Sequence, residues 1–258
     1  MVKAIFFDVD GTLVSFKTHR MSAEVENALR TLQDRGVKLF VSTGRTALAM
    51  ENVKDYPFDG YITMNGALTM IGDEVIDSHP LPRELTSKVA ELCRTEHIPC
   101  WAFADTLVCL NFESDQTREV SEQLQLRPEV FMGMDEVAAE HQIFEYTIYV
   151  SKEQEDNLLR PALKGVEYPR WHPYFADIIT EGLSKAYGME KVLSRLGISV
   201  EECMAFGDGG NDIPMLEYAG TGVAMGNSSE DVKASADYVT CSVDEDGVVA
   251  ALRHFGVL

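Results

Sequence analysis

The chain has 258 residues, 45% hydrophobic and 25% charged, a globular composition long enough for one large domain or two smaller ones. Lys plus Arg is 22 against 42 Asp plus Glu, and the formal charge of −20 repels nucleic acid and anionic membrane while drawing in metal cations. The five cysteines are odd in number and form no Cys-x-x-Cys pair, so neither a disulfide framework nor a zinc knuckle is expected. The first apolar run stops at Asp8, too early for a signal peptide, and no stretch reaches membrane-spanning length, so a cytoplasmic protein is expected.

Along the chain, residues 4–7 read as a buried strand that ends in Asp8-Val9-Asp10-Gly11-Thr12. Ser22 reads as a helix N-cap, with Val25, Leu29 and Leu32 on one face and Gly36 after the helix. A second apolar strand, 37–41, runs into Ser42-Thr43-Gly44-Arg45, with another helix expected from Arg45, and a third strand covers 60–64. Residues 67–70 and 74–78 flank Ile71-Gly72-Asp73 as a hairpin. Strand–helix alternation of this kind predicts a parallel sheet with crossover helices.

Near Leu81-Pro82 the pattern changes. Helices are expected over 84–97, 114–124 and 152–163, and strands over 101–103, 107–111, 143–150 and 176–180. This is an α+β block with antiparallel character, inserted into the first pattern. From Ser184 that pattern resumes: a helix to Leu196, a strand at 203–206, a glycine-rich loop, a helix with Met215 and Leu216, and a strand at 222–224.

Four segments carry chemistry. In Asp8-Val9-Asp10 the two acids, two residues apart at a strand end, face one site, and Gly11 allows a sharp turn. A turn with two solvated acids is the plain alternative. An EF-hand loop fails, because Gly11 falls at position four rather than six and His19 stands where the terminal Glu belongs. Ser42-Thr43-Gly44 offers a hydroxyl and backbone N–H groups before a helix, suited to an anion or simply to capping. Lys185 lies in the first turn of its helix, where the macrodipole disfavours a cation unless a phosphate or carboxylate is near. In Gly207-Asp208-Gly209-Gly210-Asn211-Asp212, three glycines surround two acids after an apolar strand, which suits close approach to a metal or phosphate. A parallel sheet gathers these ends along one edge, so acids, hydroxyl and lysine assemble a magnesium and phosphate site. Its donors are oxygen alone, which fits magnesium better than zinc.

The DxDGT run at Asp8–Thr12, Thr43-Gly44-Arg45, Lys185 and the GDxxND run at Gly207–Asp212 resemble the haloacid dehalogenase superfamily. Their order, with Asn65-Gly66-Ala67, Ala224-Met225-Gly226-Asn227 and Asp246-Gly247-Val248, resembles its Cof-type branch of sugar-phosphate phosphatases, whose large cap is of class IIB. The resemblance implies an α/β fold: a Rossmann-like doubly wound parallel core at 1–81 and 183–258, and an α+β cap at 82–182. It implies that Asp8 attacks phosphorus and that Asp10 serves as general acid and base, with Thr43, Gly44, Lys185 and Asn211 on the phosphoryl oxygens. Asp8, the Asp10 carbonyl and Asp208 would hold magnesium, with Asp212 behind them orienting Lys185 or a metal-bound water. Arg45 and Asn65 are candidate substrate contacts.

In the inserted block, Trp171, His172 and Asp177 could pack and bond a sugar, or Trp171 and Phe175 could belong to an apolar core. A phosphomutase would need a basic cluster for a second phosphate there, yet residues 83–180 hold nine Lys or Arg against eighteen Asp or Glu. A non-catalytic sugar-phosphate sensor would be expected to lack one of Asp8, Asp10, Lys185 or Asp208. The expected partner is a small phosphorylated metabolite, with no nucleic acid and no membrane.

Overall fold

Four apolar residues in succession suit a strand covered on both faces, and Ala4–Phe7 (β1) is buried throughout. A computed structural model describes residues 1–258 except 47–49, 51, 54, 105, 125–129 and 171. After β1 come Lys38–Ser42 (β2), Gly60–Thr63 (β3), Leu68–Ile71 (β4) and Glu74–Ser78 (β5). Cys100–Ala104 (β6), Val108–Leu110 (β7), Val130–Phe131 (β8), Ile143–Ile148 (β9), Val166–Glu167 (β10) and Ala176–Thr180 (β11) follow. The last three are Cys203–Gly207 (β12), Thr221–Ala224 (β13) and Tyr238–Val239 (β14).

The chain divides into two units, Met1–Ser78 with Leu183–Leu258, and the insert His79–Gly182. The first holds an eight-stranded sheet in the order β14-β13-β12-β1-β2-β3-β4-β5. Strands β14 to β3 are mutually parallel, and β4 and β5 extend the sheet antiparallel as the expected hairpin. The sheet is doubly wound: the chain leaves β1 for β2 on one side and returns to β12 on the other. That reversal is where open α/β sheets bind ligands, at the carboxyl ends of the strands.

Helices cover both faces for reasons legible in their sequences. Ala23–Asp34 starts at Ser22, whose side chain accepts from the Val25 N–H, and it buries Val25, Leu29 and Leu32 against β1 and β2. Lys185–Leu196 starts at Ser184, ends at left-handed Gly197, and buries Met189, Val192 and Leu193 with Phe6 and Phe40 on the opposite face. Truncating one such leucine to alanine would cost about 2–5 kcal/mol.

The helix expected from Arg45 is absent at Arg45, which lies in a bend, and at Thr46, which has no regular structure; residues 47–49 lie outside the described set. The Arg45 carbonyl accepts from the Met64 N–H at 3.0 Å, a tertiary bond used in place of a helical one.

The insert folds on its own six-stranded sheet, order β10-β11-β9-β6-β7-β8, antiparallel except for the pair β7–β8. Helices Arg83–Thr95 and Met134–Glu140 pack on one face of it. Among the described residues no helix is long and apolar enough to cross a membrane.

Candidate active site

The site is built where β1 and β12 end side by side. Asp8 follows β1 directly, and its N–H donates to the Phe206 carbonyl at 2.9 Å, which fixes the backbone that carries the carboxylate. Gly11 has φ +85°, and a Cβ there would lie 2.2 Å from Asp208 Oδ2. Glycine is therefore what lets the loop after β12 press against the turn after β1. Asp208 is held in that place by Thr12 Oγ1, which donates to Oδ1 at 3.1 Å, and by Asn227 Nδ2, which donates to Oδ2 at 3.1 Å. Asn227 also donates to the Gly11 carbonyl at 3.0 Å, so one amide ties three loops together.

Lys185 reaches the same point from its helix. It is fully buried, and its Nζ donates to Asp8 Oδ1 at 2.6 Å and to Asp212 Oδ1 at 2.5 Å. The other oxygen of Asp212 accepts from the backbone N–H groups of Asp208 and Gly209, both at 2.9 Å. The approach of Lys185 depends on Gly66, which has φ +95° and whose Cβ would lie 2.3 Å from the Ser184 carbonyl oxygen. The two preceding residues, Met64 and Asn65, are also left-handed, at φ 49° and 53°. Three such residues in a row are unusual backbone outside glycine and mark a site that its surroundings hold in place.

Carboxylate oxygens of Asp8, Asp208 and Asp212 lie within 4.8 Å of one another. Burial pushes the Asp8 carboxyl well up, with Asp212, Asp208 and Asp10 adding to it and Lys185 opposing. Burial and Asp212 push Asp208 up to about 7, against the hydrogen bond from Thr12. The two carboxylates beside Lys185 hold its ammonium above the ordinary lysine value despite burial. Three carboxylates against one ammonium leave surplus negative charge, which a divalent cation would neutralise. The oxygen-only donors fit a hard ion such as magnesium.

Around this centre stand neutral donors. Thr43 is buried, and its Oγ1 accepts from the Arg45 N–H at 3.1 Å. Asn211 Nδ2 donates to Asn65 Oδ1 at 3.1 Å, and a Cβ on Gly44 would stand 3.3 to 3.5 Å from both amides. The structure thus brings Thr43, Gly44, Asn65 and Asn211 together. Arg45, read in the sequence as a substrate contact, instead lays its guanidinium on Asp10, Nε to Oδ2 at 2.6 Å and a terminal nitrogen to Oδ1 at 2.7 Å.

In the insert, Asp177 is buried and its Oδ1 accepts from Thr147 Oγ1 at 2.6 Å. His172 stacks on Phe175 with centroids 5.3 Å apart. Trp171 lies outside the described residues. Thr12 and Asn227 were not singled out from the sequence as site residues. Both stand inside runs that carry the family resemblance, Asp8–Thr12 and Ala224–Asn227, but neither run assigns them a role.

The match to the haloacid dehalogenase-like hydrolase family model covers residues 5–252, and the chain belongs to that family. Within it the chain is a phosphatase. It is similar to the subclass IIB sugar phosphatase BT4131, at 38% identity, TM-score 0.90 and full coverage of both chains. It is similar also to BT1666, a phosphatase from Bacteroides thetaiotaomicron, at 37% identity and TM-score 0.91 over 100% of this chain and 96% of that one. The 5-amino-6-(5-phospho-D-ribitylamino)uracil phosphatase YcsE of Bacillus subtilis (strain 168) is 30% identical, over 98% of this chain and 96% of its own.

Proposed function

We propose that the enzyme hydrolyses phosphate monoesters of small metabolites, sugar phosphates foremost, with magnesium and through a phosphoaspartate on Asp8. The observation that carries this reading is the Asp8–Lys185–Asp212 chain, with Asp208 fixed beside it. It makes a buried carboxylate nucleophile with a cation at hand for phosphoryl charge. Similarity to a sugar phosphatase supports the substrate class.

In this reading one Asp8 oxygen attacks phosphorus in line and the bond from phosphorus to the leaving oxygen breaks. The Asp10 carboxyl gives its proton to that oxygen, and the alcohol departs. Water then attacks the same phosphorus and loses a proton to the Asp10 carboxylate, while the Asp8–phosphorus bond breaks and inorganic phosphate leaves. Lys185, the Thr43 hydroxyl, the Gly44 N–H and Asn211 hold the phosphoryl oxygens, and Asp212 holds Lys185. Asp8 and Asp208 would hold magnesium, which when bound offsets the charge of the acids and phosphate. Thr12 and Asn227 keep Asp208 aimed.

The test is release of inorganic phosphate from p-nitrophenyl phosphate and a panel of sugar monophosphates, with and without magnesium. Acid-quenched single turnovers should trap phosphate on the protein. No phosphate release from any compound with magnesium present would overturn the reading.

A further inference from the structure

The run Asp246-Gly247-Val248 carries none of the chemistry assigned above, yet the segment leading into it is fastened to the loops that do. Val243–Glu245 forms a single tight helical turn, and Asp246 follows in the left-handed region at φ 53°. A residue other than glycine persists there only where its surroundings hold it. Here two carboxylates fasten the segment. Asp244 accepts from Ser15 Oγ at 2.6 Å and from Lys17 Nζ at 2.5 Å, and Asp246 accepts from Ser22 Oγ. The segment is thus bound to both ends of the loop that follows the turn carrying Asp10. On its other side the Gly226 N–H donates to the Cys241 carbonyl at 3.0 Å, and a Cβ on Gly226 would lie 2.7 Å from the Ser242 nitrogen.

This anchoring sets one donor in place, the Val243 N–H, which donates to Asn227 Oδ1 at 2.9 Å. That bond decides which way the amide faces, because an N–H can meet only its oxygen end. Nδ2 is then turned to the Gly11 carbonyl at 3.0 Å and to Asp208 Oδ2 at 3.1 Å. Asn227 is exposed, so its orientation depends on hydrogen bonds rather than on packing. Without the Val243 donor, the amide could turn over and set its oxygen against the Asp208 carboxylate.

We infer that Val243–Asp246 is a clasp that positions the cation site from outside it, through a relay from the Val243 N–H to Asn227 to Asp208. Asn227 is a positioning residue in this relay, and the Asp246-Gly247 turn holds its distant end still. The inference rests on the magnesium-dependent reading above. A carboxylate with one oxygen held by a donor presents the other in a fixed direction, and loss of such a partner costs about tenfold to a hundredfold in metal affinity.

The experiment follows magnesium binding without substrate, as the rise in melting temperature along a magnesium titration. It compares wild type, Val243→Pro, Val243→Ala, Asn227→Ala and the double variant Val243→Pro/Asn227→Ala. Proline removes the donor, and the first position of a helical turn after extended Ser242 (φ −67°, ψ 163°) accepts its ring. Val243→Pro should raise the magnesium midpoint by more than about twofold, and Asn227→Ala by about tenfold or more. Val243→Ala keeps the N–H and should bind magnesium as wild type does. In the Asn227→Ala background, Val243→Pro should add less than about twofold, because the relay is already cut. A merely structural role would lower melting temperatures and leave the midpoints alone. A midpoint within about twofold of wild type in Val243→Pro, an equal rise in Val243→Ala, or full additivity in the double variant would each overturn the inference. Should Val243→Pro fail to fold, a wild-type midpoint in Asn227→Ala overturns it alone. No magnesium shift in wild type would overturn the magnesium reading as well, whereas a shift shared unchanged by every variant overturns only the clasp.

Discussion

The guanidinium of Arg45 grips both oxygens of the Asp10 carboxylate, at 2.6 and 2.7 Å. Both side chains are about three-quarters buried, at 26% and 30% exposed, so the pair is firmer than a surface ion pair. It fixes the direction in which Asp10 presents an oxygen to the leaving group or to water. Lysine has the charge but not the fork, so Arg45→Lys is expected to lower kcat by about ten- to a hundredfold with little change in KM. Steady-state kinetics on p-nitrophenyl phosphate checks this. A raised KM at unchanged kcat would make Arg45 a substrate contact instead.

Asp8→Asn should abolish turnover while the fold persists. The amide is a poor nucleophile and a weaker metal ligand, and either loss costs several orders of magnitude in rate. It also takes one charge out of a crowded acid cluster, so the melting temperature without metal should hold or rise. A variant that kept a tenth of wild-type kcat would remove Asp8 from the role of nucleophile.

Metal and pH should act together. Asp208 moves from an ordinary 3.8 to about 7 in the folded state. Between those values the unfolded chain has lost a proton that the folded chain still holds, so this group makes metal-free stability fall as pH rises. Magnesium stabilises the ionised form, so the gain in melting temperature on adding it should be larger at pH 7.5 than at pH 5. Asp208→Asn should flatten that difference, and EDTA should abolish activity. Thermal shifts at the two pH values decide it: an equal magnesium shift at both would count against this site.

Lys185 is the one cation hydrogen-bonded to both Asp8 and Asp212 among the described residues. Lys185→Met should abolish activity and cost about 3–5 kcal/mol of stability without metal, because two buried carboxylates lose their counter-charge. Adding Asp8→Asn to it should recover part of that loss, since the pair is coupled. Urea titrations of the single and double variants measure the coupling. Strictly additive losses would mean that the 2.6 Å contact does not stabilise the fold.

Asp8, Asp208 and Lys185 were readable in the sequence because each stands where a run of regular structure starts or stops, and a parallel sheet gathers such points at one edge. The grip of Arg45 on Asp10 was not, because nothing in Thr43-Gly44-Arg45 says that the backbone turns away from helix toward Met64. Asn227 was hidden for another reason: its amide joins Gly11 and Asp208, partners set only by the third dimension. Glu145 shows the limit of periodicity. Alternation in Ile143–Ile148 puts Glu145 and Thr147 on one face, but it does not tell a wet face from one where all six residues are buried. The Asp246-Gly247 pair bore a family resemblance without a role. In the structure Asp246 accepts from the Ser22 hydroxyl at the start of the first helix, and a Cβ on Gly247 would lie 2.2 Å from the Cys241 carbonyl oxygen.

The strand order sets a timetable for the newborn chain. β1 lies between β2 and β12, and Ala4 is paired with both Lys38 and Cys203. During synthesis, β2 is available almost at once, but the other edge of β1 stays open until Cys203 has left the ribosome. At about 5–20 residues per second that wait is on the order of 10–40 s. Through it, the strand that leads to Asp8 offers unpaired backbone N–H and C=O groups and wholly apolar side chains to any neighbour, while the insert, whose six strands all lie between Cys100 and Thr180, can complete its own sheet first.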